Sequence, residues 1–115
     1  MTYGKILIVQ FWTKVEITET LAKKLLYSLT QKTGMTPMGD TVIRTYPAMD
    51  NRGGVGLTAF QPFVESFAAL DTWPEQEGRA VLFFYSCKYF DNRELVSLLK
   101  ESLAIKKMKY NIVDL

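Results

Sequence analysis

Histidine is absent from the 115 residues, and cysteine occurs once, at Cys87. Without imidazole and with a single thiol, the usual nitrogen and sulfur ligands of transition metals are missing, so no metal site is expected. One cysteine also excludes an intrachain disulfide and suits a reducing compartment, the cytoplasm. No apolar run approaches the roughly 20 residues that span a bilayer. The N-terminal stretch has no small-residue cleavage site of the kind that ends a secretory signal. Neither sign of charge dominates: 14 Lys and Arg against 12 Asp and Glu leave +2, too little to attract a polyanion. These absences describe a soluble cytoplasmic protein with no nucleic-acid and no membrane partner.

The remaining composition is that of a folded domain, at 48% hydrophobic and 23% charged residues. Its length suits a single domain over residues 1–115, with no linker or low-complexity break. Residues 4–12 are nearly all apolar and predict a first strand covered on both faces. Thr18 then stands as an N-cap with Glu19 in the first turn of a helix. Leu21, Ala22, Leu25, Leu26 and Leu29 line one face of it, and Gly34 stops it. A second strand runs over 41–46 and ends at Pro47. Residues 50–54 predict a hairpin turn; their glycines are not a phosphate loop, because they lead into a strand at Val55 and not into a helix. Pro62 places a bulge or a sheet edge in that third strand.

Two further strands flank Trp73-Pro74-Glu75, where proline ends the pairing, and the second of them is the aromatic run 79–86. This hairpin brings Ser66 and Cys87 towards one end. Asp91 begins a capping box, and Leu95, Leu98, Leu99 and Leu103 form the buried face of a second helix. In the last strand Met108, Tyr110 and Ile112 alternate inward, while Lys106, Lys107 and Lys109 supply protective charge on the wet face or edge. The order β-α-β-β-β-β-α-β specifies an α/β fold of the α+β type: a two-layer sandwich, mostly antiparallel sheet with two helices on one face. Phe60, Phe83, Phe84 and Tyr85 exceed what one helical layer hides, which predicts a homodimer through the other face.

Glu65-Ser66, then Thr72-Trp73-Pro74-Glu75, then Cys87 on the next strand resemble the motif of the small prokaryotic S-adenosylmethionine decarboxylases. Gly56-Leu57-Thr58-Ala59 is similar to the family's Gly-x-Ser-Gly segment, and the order of elements agrees over nearly the whole chain. The resemblance implies the fold above, S-adenosylmethionine or a related small amino acid as substrate, and a place in polyamine (spermidine) biosynthesis. It also implies a pyruvoyl cofactor made from Ser66. In that scheme the Ser66 hydroxyl attacks the Glu65 carbonyl, the peptide becomes an ester, and loss of the Ser66 α-proton splits the chain. Cys87 would return a proton to the substrate, Thr58 would assist the acyl shift, and a histidine would be the base.

That histidine is Asp71 here, and the motif's other histidine is Phe67. Gln10 stands where the family has an acidic residue near the end of the first strand, so Gln10, Phe67, Trp73 and Glu75 become the expected substrate-binding set. A solvated carboxylate with a pKa of ~3.9 is a poor base towards a carbon acid. Two readings therefore stand: a pyruvoyl-dependent decarboxylase, or a non-processing paralogue that kept the fold and acts as a ligand-binding or regulatory subunit beside an active paralogue. Ser66, Thr58, Asp71 and Cys87 are expected in one pocket, with Trp73 nearby.

Overall fold

A computed structural model describes residues 4–47 and 55–115; the turn expected at 50–54 lies outside the described residues. The elements are β1 (Lys5–Thr13), α1 (Glu19–Lys32), β2 (Val42–Pro47), β3 (Val55–Phe63), β4 (Ser66–Trp73), a 3-10 turn (Pro74–Gln76), β5 (Arg79–Ser86), α2 (Asn92–Ser102) and β6 (Ile105–Asp114). The strands form one sheet in the order β2-β3-β4-β5-β1-β6, every neighbouring pair antiparallel. Both helices pack on the same face, so the fold is the two-layer α+β sandwich that the element order specifies.

Local signals set the helix ends. The Thr18 hydroxyl accepts from the Leu21 N–H at 3.1 Å, and α1 stops at Thr33, with Gly34 at φ +80° where a side chain would be strained. Asp91 Oδ1 accepts from the N–H groups of Arg93 and Glu94, at 2.9 and 3.5 Å. The α1 stripe meets Leu7, Val9, Phe11, Leu70, Leu82 and Phe84 in one core. On α2 the buried set is Leu95, Val96 and Leu99, with Leu98 only partly covered.

One strand expectation holds and another changes. Pro62 lies at a local edge of the sheet inside β3, because β2 pairs with β3 only as far as Phe60. The missing N–H therefore falls where the outer neighbour has already stopped; beyond it, only the loop bridge Pro37–Phe63 covers the edge. In β6, Met108 is partly covered, but Tyr110 and Ile112 are 45% and 42% exposed, not turned into a core. β6 is an edge strand, and its C-terminal half carries no buried residue.

The second face of the sheet carries Ile6, Ile8, Phe60, Phe67, Val81, Phe83 and Tyr85, with no layer of this chain over it among the described residues. Phe67 is at its centre: its ring stacks on Phe83 at 5.8 Å, tilts on Phe60 at 5.3 Å and meets Tyr85 edge-on at 5.8 Å. β1 is thus covered by helices on one face only.

Candidate functional site

The β4 register divides the expected site residues into two groups. Ser66 pairs with Ser86 of β5, and the amide of Cys87 donates to the Glu65 carbonyl at 3.1 Å. Ser66 and Cys87 are therefore neighbours at one end of the hairpin, as the strand order requires. Asp71 is five residues further along β4, opposite Thr58 of β3, whose hydroxyl donates to its carboxylate at 2.6 Å. At about 3.4 Å per residue that is about 17 Å from Ser66. Within one protomer the single pocket expected for Ser66, Thr58, Asp71 and Cys87 does not form, because an extended strand cannot fold its ends together. Trp73 belongs with the Asp71 group.

At the Ser66 end Glu65 is held by the loop after α1 and by Cys87. The loop after α1 supplies Thr36, whose backbone N–H donates to Glu65 Oε1 at 2.9 Å and whose hydroxyl donates to Oε2 at 3.3 Å. The Val64 N–H donates to the Thr36 carbonyl at 2.9 Å, which ties the β3–β4 turn to the same loop. Chiefly through the Thr36 N–H, with the Lys88 ammonium adding to it, the Glu65 carboxyl sits below the usual carboxylate range. Ser66 has φ +155°, at the border of the left-handed region and unusual for a serine at a strand start. The Cys87 N–H on the Glu65 carbonyl is the donor that an attack at that carbon would use to hold the developing oxyanion.

At the other end the Thr72-Trp73-Pro74-Glu75 block closes the sheet. The Thr72 hydroxyl accepts the Leu57 N–H at 3.0 Å, taking over where the β3–β4 ladder stops. Trp73 lies beneath the Arg79 guanidinium, 4.6 Å from its ring centre, and Pro74 opens the 3-10 turn. Arg79 Nε donates to Gln10 Oε1 at 2.7 Å, so Gln10 faces a cation of its own chain. Tyr46, which the sequence reading missed, crosses from β2 and donates its hydroxyl to the Thr72 carbonyl at 2.5 Å. Glu75 Oε1 lies 3.5 Å from that hydroxyl, and burial first, then Glu75, raises the Tyr46 pKa. The available signal was Gly56, directly opposite Tyr46 in the β2–β3 register, where a Cβ would overlap the tyrosine ring. A cavity of about 360 Å³ opens next to this end, between residues 13–17, Thr72, Pro74 and Arg79.

The residues fit only part of a pyruvoyl-forming reaction. A nucleophile, a polarised carbonyl and a fixed glutamate are together at Glu65–Ser66. The residue that the resemblance puts forward as the base, Asp71, is about 17 Å along β4 from Ser66 in the same protomer, and the chain has no histidine.

The chain matches the family model described as S-adenosylmethionine decarboxylase over residues 13–114. A search of curated proteins gave no match. Among solved structures, the crystal structure of the adenosylmethionine decarboxylase from Aquifex aeolicus is similar in fold, with a TM-score of 0.72 at 18% identity. The alignment covers 97% of this chain and 89% of that one.

Proposed function

The chain belongs to the S-adenosylmethionine decarboxylase family, and from that premise we propose that it serves polyamine (spermidine) metabolism in the cytoplasm as a non-processing, dimeric subunit that binds S-adenosylmethionine or a related small amino acid. One observation carries this reading. The residue at the position of the family's base is Asp71, a carboxylate bound to the Thr58 hydroxyl where the family has an imidazole. Gln10 and Phe67 have lost charge as well, and Phe67 has become the centre of an aromatic patch. A place for a ligand remains at the same end of the sheet, in the cavity lined by Thr72, Pro74 and Arg79, with Trp73 and Glu75 beside it in the chain.

The open aromatic face supports the homodimer. Two sheets packed face to face lie about 10 Å apart. A two-fold axis that crosses β4 near Ala69 reverses the strand ends, so that Thr58 and Asp71 of one protomer come over Ser66 and Cys87 of its partner. Such a pairing covers Phe60, Phe67, Phe83 and Tyr85 and joins the two half-sites.

The enzymatic alternative has its own observation, the Cys87 N–H on the Glu65 carbonyl at 3.1 Å. Mass spectrometry of the intact protein separates the two. One mass near 13.2 kDa is expected; two fragments divided between Glu65 and Ser66 would establish self-processing and overturn the proposal. Sedimentation at micromolar concentration should give about twice the monomer mass or a multiple of it, and a strict monomer would remove the dimer from the reading.

A further inference from the structure

We propose that the outer edge of β6 is a second self-association site, at which two copies of this chain pair β6 with β6 antiparallel around Tyr110. The proposal does not depend on the face-to-face dimer, because it uses a different surface. β6 is ten residues long and pairs with β1 alone; among the described residues nothing pairs with its other side. Natural sheets protect such an edge with charge, proline, bulges or shortness. Here the lysines cover only the first half, and Lys107 is laid over the Trp12 ring, 4.3 Å from its centre. The second half leaves Tyr110 and Ile112 exposed on the helix side.

The backbone fixes which residues present themselves. The Leu115 N–H donates to the Gly4 carbonyl, so the amides of Val113, Asn111 and Lys109 also turn towards β1. Those of Met108, Tyr110, Ile112 and Asp114 turn outward, free to pair. A two-fold axis at Tyr110 sets Tyr110 against the partner's Tyr110 and Met108 against the partner's Ile112. The same register brings Lys106, at the bulge that ends the β1 ladder, to the partner's Asp114. Apolar then meets apolar and cation meets anion on one row. Moving the axis by one residue puts Lys106 against Ile112, or Met108 against Asp114, which loses the charge match and sets a charged residue against an apolar one. Charge complementarity and the apolar row together name the occupant as a second copy. The two sheets would become one continuous sheet, with the helices of both copies on the same side.

Register-specific crosslinking tests this. In a hydrogen-bonded antiparallel pair the Cα atoms are about 5.5 Å apart, within the span of a disulfide. Tyr110→Cys in a Cys87→Ser background should therefore oxidise to a covalent dimer at least tenfold faster than Ile112→Cys, whose two copies would be about 14 Å apart. Both positions are exposed, so neither change threatens folding. Asp114→Lys should weaken the association about tenfold, and Lys106→Glu with Asp114→Lys should restore it. Equal crosslinking at the two positions, or an Asp114→Lys variant that associates like the parent, would overturn the proposal. So would a β6 edge that stays free in the pure protein, which would leave it to a chain of another kind.

Discussion

Replacing Asp71 by histidine tests the division of the site directly. A general base acts within about 3 Å of the proton it removes, or through one water. Asp71 lies about 17 Å along β4 from Ser66, so an imidazole at position 71 is out of reach of Ser66 in its own chain. Across the proposed face-to-face dimer it comes over the partner's Ser66. The change replaces a carboxylate with an imidazole, whose unperturbed pKa of ~6.5 suits neutral pH, and a positioned base contributes about 10²–10⁴-fold. The assay mixes two chains: Asp71→His/Ser66→Ala, which cannot be cut, and a tagged chain with Asp71 and Ser66 intact. Slow, partial cleavage of the tagged chain is expected over days on denaturing gels, because Phe67 and Gln10 still differ from the family pattern. Cleavage of Asp71→His alone should slow on dilution below dimer formation. A first-order rate indifferent to dilution would refute the two-half-site argument. No cleavage in any mixture would mean that the site has lost more than its base, and would strengthen the binding role.

Four further outcomes follow from the geometry. Gly56→Ala should displace the Tyr46 ring and its bond to Thr72, costing about 1–2 kcal/mol in denaturant unfolding, with Tyr46→Phe costing about 1 kcal/mol for the hydroxyl alone. Tyr46 has a raised pKa, so its contribution is present below the unfolded value of ~10 and is lost as pH rises through the folded one; Tyr46→Phe should remove that alkaline limb. Glu65 has a lowered pKa, so the Thr36 contact contributes above the unfolded value of ~4.3 and is lost as pH falls through the lower folded one; Glu65→Gln should flatten this acid limb in urea melts at pH 3–5. Phe84→Ala empties a fully buried site between Phe63 and Phe90 and should cost about 3–5 kcal/mol.

Most of the fold was legible in the sequence because its signals are local. Thr18, Gly34, Asp91 and Pro74 act on the backbone within a turn of themselves, and each marks the boundary it predicts. The order of elements then leaves few ways to build a layered sandwich. The β6 face was misjudged because alternation reports which residues share a side, not whether a helix reaches far enough to cover them. The site was half legible. Adjacent strands place Ser66 beside Cys87 whatever the details, since the hairpin sets their register. The distance from Ser66 to Asp71 follows equally from strand geometry, but a motif written as one line of text conceals it. Thr36 could be found only in three dimensions, since it reaches Glu65 from 29 residues away, and the sole mark of Tyr46 was Gly56 opposite it.

The residues that carry the family resemblance are largely the ones that hold the sheet end together, and this explains how recognition and catalysis can part. Thr72 satisfies a buried amide, Trp73 supports Arg79, Pro74 sets the turn, and Glu75 lies at the Tyr46 hydroxyl. Asp71 and Phe67, at the two histidine positions, face the open side of the sheet, where no core depends on their identity. Thr72→Val should thus leave the Leu57 N–H without its acceptor in a buried place, at about 1–3 kcal/mol. Asp71→Asn keeps an acceptor for the Thr58 hydroxyl and should unfold within about 0.5 kcal/mol of the parent. Equilibrium unfolding of the two variants side by side measures the contrast. If Asp71→Asn were as damaging as Thr72→Val, position 71 would be a structural post, and its carboxylate would say nothing about lost chemistry.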